Sequence, residues 1–158
     1  MKYVAIDELS NFQFHDAVIE SIYFQDKQMI WVANSVNATT TNTQNEFTED
    51  MCIENAKIIF ENVHIESIIW SAYTIHDSNG SLIESKKDMP ANSNEYTKIL
   101  REVVGNFIYG MEKLNVIDDT KYSVCFCISV GVHIFYLTFT FTKSIHLHKT
   151  KNTRKKQY

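Results

Sequence analysis

Phe14-His15-Asp16-Ala17 sets an imidazole next to a carboxylate, the pairing that general acid–base catalysis uses to take up or deliver a proton. On an extended strand adjacent side chains point to opposite faces, so His15 and Asp16 are not expected to orient each other. They therefore read first as structural, with Asp16 bonding a turn and His15 packed with a satisfied nitrogen. The catalytic alternative gathers His15 and Asp16 with His64 or His76 in one cleft, as a small hydrolase or ligand-binding enzyme would require.

Cys125-Phe126-Cys127 puts two thiols on one strand face, where a zinc or redox site can begin. A structural zinc needs further ligands, and the one other cysteine, Cys52, is distant in sequence. These thiols read as small buried hydrophobes. His146-Leu147-His148 offers two imidazoles on a segment that must first be ordered before it can hold a metal. Asp118-Asp119 reads as a turn rather than a cation site. The four glycines are scattered, which removes a phosphate-cradling loop, and neither a Gly-x-Ser-x-Gly elbow nor a His-Glu-x-x-His pair is present. No metal and no cofactor are expected.

Charge is distributed unevenly. From Lys143 onward there are six bases (Lys143, Lys149, Lys151, Arg154, Lys155, Lys156) and no acid. The rest of the chain keeps nine bases against 19 acids, a formal −10. Such a body disfavours direct contact with DNA or RNA, because phosphates need cations. The basic tail is the one segment suited to nucleic acid or an anionic membrane, and it reads as solvated. An acidic body suits a basic protein partner through complementary fields. The odd cysteine count and the absence of an apolar stretch near Met1 point to a reducing, cytoplasmic setting. No apolar run approaches the roughly 20 residues needed to cross a bilayer.

The elements that must position these residues follow from pattern. At 158 residues one domain is expected, and ten Phe, eight Tyr and two Trp with many Val, Ile and Thr favour strands. Residues 14–24 and 29–38 form a hairpin around Gln25-Asp26-Lys27-Gln28, with both faces of its first strand partly apolar or one bulge in it. Residues 38–50 lack apolar period and form a surface loop. Strands follow at 51–61 and 63–76, with a short helix around Ile65 to Trp70 as the alternative, then a turn at Asp77-Ser78-Asn79-Gly80 with a short strand returning. Asn92 and Glu95 make a capping box, and apolar residues from Tyr96 to Leu114 recur at three and four spacing. That stripe predicts one long amphipathic helix over Glu95–Leu114, closed by Asn115. A second hairpin spans Tyr122 to Thr142 around Gly131, with Phe135, Leu137, Phe139 and Phe141 on one face. The expected fold is α+β: a mainly antiparallel sheet of about six strands on one helix, over residues 1–142, followed by a mobile basic tail over 143–158.

The Phe14-His15-Asp16-Ala17 lead into a hairpin, with Ile59-Phe60-Glu61-Asn62-Val63, resembles several small bacterial families over roughly the first 65 residues. Those families carry no established reaction. Some similar small acidic proteins accompany toxins as immunity proteins. The expected function is a non-enzymatic protein-binding domain, immunity-like in type, presenting an acidic surface to a basic partner. The alternatives are the His15/Asp16 enzyme and an oligomerising module that uses an exposed strand edge.

Overall fold

The computed structural model describes residues 3–148. In chain order these form β1 (Tyr3–Ile6), β2 (Phe12–Gln13), β3 (Ala17–Gln25), β4 (Gln28–Asn34), β5 (Val36–Ala38), β6 (Met51–Ile53), β7 (Ala56–Glu61) and β8 (His64–Trp70). There follow β9 (Tyr73–His76), β10 (Leu82–Lys86), β11 (Met89–Pro90), α1 (Tyr96–Glu102), β12 (Phe107–Asp118), β13 (Lys121–Val130), β14 (His133–Phe141) and β15 (Lys143–His148). Ten strands make one antiparallel sheet in the order β1-β15-β7-β4-β3-β12-β13-β14-β8-β11. Strands β9 and β10 form a separate hairpin, and β2, β5 and β6 a small third sheet. Asp16, Asp26, Asn55 and Asn62 turn the chain between strands at positive φ, a region that short polar side chains tolerate.

The large sheet does not lie flat. Five steps separate β7 from β14 in its order, about 24 Å at the usual strand spacing. Yet the rings of Phe60 on β7 and Phe139 on β14 are 5.0 Å apart. Trp31 on β4 likewise meets Phe126 on β13 at 4.9 Å. The sheet therefore curls until its inner face meets itself.

Two bent strands complete the ring. Chain passes from β14 to β15 through Thr142 alone, and from β7 to β8 through Asn62 and Val63. On one side of this corner Lys143 pairs with Glu61, and on the other Thr140 pairs with His64. The Thr142 amide donates to the Glu61 carbonyl at 2.9 Å, and the Asn62 amide group donates to the Thr142 hydroxyl at 2.9 Å. With β4, β3, β12 and β13, the two bent strands make a closed antiparallel barrel, which removes most free edges. Trp31, Phe14, Phe60, Phe126, Phe135, Phe139 and Phe141 fill it. Val36, Ala38, Met51 and Ile53 of the small sheet extend the same core, as do Ile99, Leu100 and Val103 in and just after α1.

The expected α+β fold with a long helix is overturned: the protein is mostly β, and its helix stops at Glu102. The capping box forms, with the Asn92 amide donating to the Glu95 carboxylate at 3.3 Å. Gly105 then takes φ 81° and donates to Ile19 O at 2.7 Å, turning the chain into β12. The apolar stripe beyond it has a different origin. Strand β12 carries three register shifts against β13, two of them between Ile108 and Gly110 and between Met111 and Lys113. Each bulge adds a residue and turns a spacing of two into three. Ile108, Met111 and Leu114 thus share the spacing of a helix face while lying in a strand.

The expected tail is also corrected at its start. Residues Lys143–His148 form β15 between β1 and β7. Its inward positions are Ser144 and His146, both buried, and the His146 ring stacks on Phe12 with centroids 4.1 Å apart. The rest of that tail lies outside the described residues. Among the described residues no helix is long and apolar enough to cross a membrane.

Trp31→Ala is expected to lower the unfolding free energy by about 3–5 kcal/mol in urea titration, because it empties the centre of the barrel. Trp31→Phe will cost clearly less, since the buried indole Nε1–H has no acceptor among the described residues and its loss leaves nothing unpaired.

Candidate functional site

His15 and Asp16 precede β3 rather than lying on it. The left-handed backbone of Asp16, at φ 63°, folds its carboxylate back beside the imidazole, so that His15 Nε2 and Asp16 Oδ2 are 3.5 Å apart. The two do meet, against the strand-based expectation. His15 Nδ1 lies 2.7 Å from the Tyr109 carbonyl. Both side chains are open to solvent, at 72% and 63% exposure. A contact so exposed contributes little and is not preorganised for proton transfer. His64 is on β8, three strands from β12 in sheet order, and His76 is on the separate hairpin, with Nδ1 3.2 Å from Gly80 O. The structure does not gather them with His15 and Asp16.

A different region is built with more care. Strands β5 and β6 pair side by side, with Val36, Ala38, Met51 and Ile53 pointing into the core. The chain between them, residues 39–50, has no secondary structure of its own. Buried Asn45 organises it. Its side-chain amide donates to the carbonyls of Ala38 at 3.1 Å, Thr39 at 3.0 Å and Glu49 at 3.0 Å. Its Oδ1 accepts from the Phe47 amide at 3.0 Å. One side chain thus satisfies both ends of the loop, as buried backbone groups require.

A second set of bonds ties the loop to the chain after β1. The Thr39 amide donates to Asn11 O at 2.9 Å, and the Thr41 hydroxyl to Asn11 Oδ1 at 3.1 Å. The Glu8 carboxylate accepts from the Thr43 amide at 2.9 Å, from the Thr43 hydroxyl, and from Asn11 Nδ2 at 3.3 Å. Partial burial pushes the Glu8 pKa up, but the bonds from Thr43 and Asn11 outweigh it and leave the carboxyl below its ordinary value of 4.5.

The loop is strongly one-signed. Between Lys27 and Lys57 the chain holds no lysine or arginine, while Glu46, Glu49, Asp50 and Glu54 are all exposed. Phe47 stands among them at 45% exposure. The region therefore offers an acidic surface with an aromatic ring in it. Sequence reasoning marked the loop and the acidic body but not Asn45 or Phe47. A signal was present in Asn42-Thr43-Gln44-Asn45, since Asn side chains commonly bond their own loop backbone. No protein family, curated protein or solved structure matches the chain.

Asn45→Ala is expected to cost about 1–3 kcal/mol and to raise amide exchange selectively over residues 39–50, because it leaves loop carbonyls unpaired. Glu8 has a depressed folded pKa, so its contribution is full above 4.5 and is lost as pH falls through the lower folded value. Glu8→Gln should therefore show a flatter loss of stability below that pH than the parent chain in acid titration followed by circular dichroism.

Proposed function

We propose that this protein is a non-enzymatic binding domain, immunity-like in type, whose acidic loop 39–50 engages a basic protein. The observation that carries this reading is the pairing of single-sign charge with rigid presentation. Glu46, Glu49 and Asp50 are exposed on a loop that Asn45 and Glu8 hold in one conformation, and Glu54 follows in the turn after β6. A preorganised loop loses little entropy on binding, and aligned acids speed encounter with a cationic partner. Exposed Phe47 supplies the aromatic anchor on which contact energy commonly concentrates. Activity in a cytoplasmic compartment belongs to the same proposal.

A second reading rests on β12. Beyond Ile108 its backbone pairs with β13 alone among the described strands, and Val116 and Ile117 on it are exposed. A free edge of this kind is a template for a strand of another chain. Its three bulges blunt that edge, which places this reading second.

The triple substitution Glu46→Lys, Glu49→Lys, Asp50→Lys should remove proteins captured from native lysate by the parent chain at low salt, and those same proteins should be lost from the parent at high salt. Capture indifferent to both changes would overturn the acidic-loop reading. Light scattering that shows a stable dimer broken by Val116→Lys would favour the edge instead.

A further inference from the structure

Strand β13 carries Cys125 and Cys127 on its outer face, opposite the buried Val124, Phe126 and Ile128. Pairing with β14 is unbroken here, with Cys125 against Thr138, Phe126 against Leu137 and Cys127 against Tyr136. Two positions apart on a regular strand, their Cβ atoms are about 6.6 Å from each other. A disulfide needs Cβ atoms about 3.8 Å apart, so the two thiols cannot join directly without breaking the strand. Both cysteines are free. Side chains leaning towards each other can, however, bring the sulfurs within about 4.6 Å, the span of a single ion bonded to both at about 2.3 Å.

The surroundings leave room for such an ion. Cys125 lines a hollow of about 430 Å³ with Glu112, Lys113, Asn115, Ser123, Tyr136 and Thr138. Cys127 is only 6% exposed, and its register partner Tyr136 lines the hollow. The Glu112 carboxylate lies over Gly110, which faces Cys127 in the register. Lys113 faces Cys125 in the same register. Burial and the Glu112 charge push the Cys127 thiol up, partly offset by its hydrogen bond with Tyr136. Among the described residues no group of three or more His, Cys, Asp or Glu side chains is placed to hold a metal, which removes a tetrahedral zinc site. Two thiolates with no further ligand select a soft ion content with two bonds. Once bound, two thiolates and one monovalent ion carry a net negative charge, which the Lys113 ammonium opposes.

We propose that Cys125 and Cys127 form a two-coordinate site for a soft monovalent cation of the cuprous class, entered through the hollow between β12 and β14. Each thiol loses its proton to solvent as its sulfur bonds the ion, and no oxidation state changes.

The full chain would be titrated anaerobically with cuprous ion supplied as its acetonitrile complex, in competition with a chromogenic cuprous chelator, and native mass spectrometry would count bound ions. One ion per chain is expected, with Cys52→Ser unchanged and Cys125→Ser weakened by at least about 100-fold. Cys127→Ala should weaken binding equally, with circular dichroism confirming its fold. Should that variant not fold, Cys125→Ser decides alone, since its side chain is partly exposed. No ion retained at one equivalent, an ion lost only in Cys52→Ser, or an ion held as tightly by Cys125→Ser as by the parent would each overturn the assignment.

Discussion

Everything in this molecule depends on a sheet that must hide its aromatic face. Trp31, Phe60, Phe126 and Phe139 lie on strands from both halves of the sheet, and the helix is far too short to cover them. Each ring buries about 150–250 Å² when enclosed, so a flat sheet would leave a large apolar surface in water. Curling brings the rings together at edge-on and tilted angles, Trp31 on Phe60 at 5.6 Å and Phe60 on Phe141 at 5.2 Å. The price is a sharp corner, and the chain meets it with a left-handed Asn62 and the Thr142 bonds that bridge the two bent strands.

The periodic signals in the sequence were legible where strands are regular and misleading where they are not. Phe135, Leu137, Phe139 and Phe141 alternate cleanly, and β14 lies where that pattern puts it. The turns at Asp26, Gly80 and Gly131 were equally plain, since each takes the positive φ its residue type favours. Strand β12 defeated the same logic because bulges convert a period of two into one of three, and nothing in composition separates that from a helix. Capping at Asn92 and Glu95 was real, but a cap marks where a helix begins and carries no information on its length. Strand β15 was hidden for the opposite reason. Its inward residues are Ser144 and His146, so its alternation reads as polar although its pairing with β7 is continuous over five residues.

The candidate site was half legible. Net charge pointed to an acidic surface, and the polar run over residues 38–50 pointed to a loop. Sequence could not show that the loop is also tied to the chain after β1, because hydrogen bonds between residues such as Glu8 and Thr43 join segments far apart in the chain. Nor could it show that His15 and Asp16 touch, since that contact arises from one left-handed residue. Thus the barrel and the loop answer to different forces: apolar burial closes the first, and satisfaction of backbone polar groups fixes the second.

Closure at the Thr142 corner is the claim on which the rest stands, and amide hydrogen exchange read residue by residue tests it most directly. If 133–148 is one bent strand paired on both sides of the corner, the amides of the β15 residues that pair with β7 will exchange as slowly as those in the middle of β13. Exchange at unfolded-chain rates from Lys143 onward, with β14 still protected, would show the sheet to be open and contradict this account.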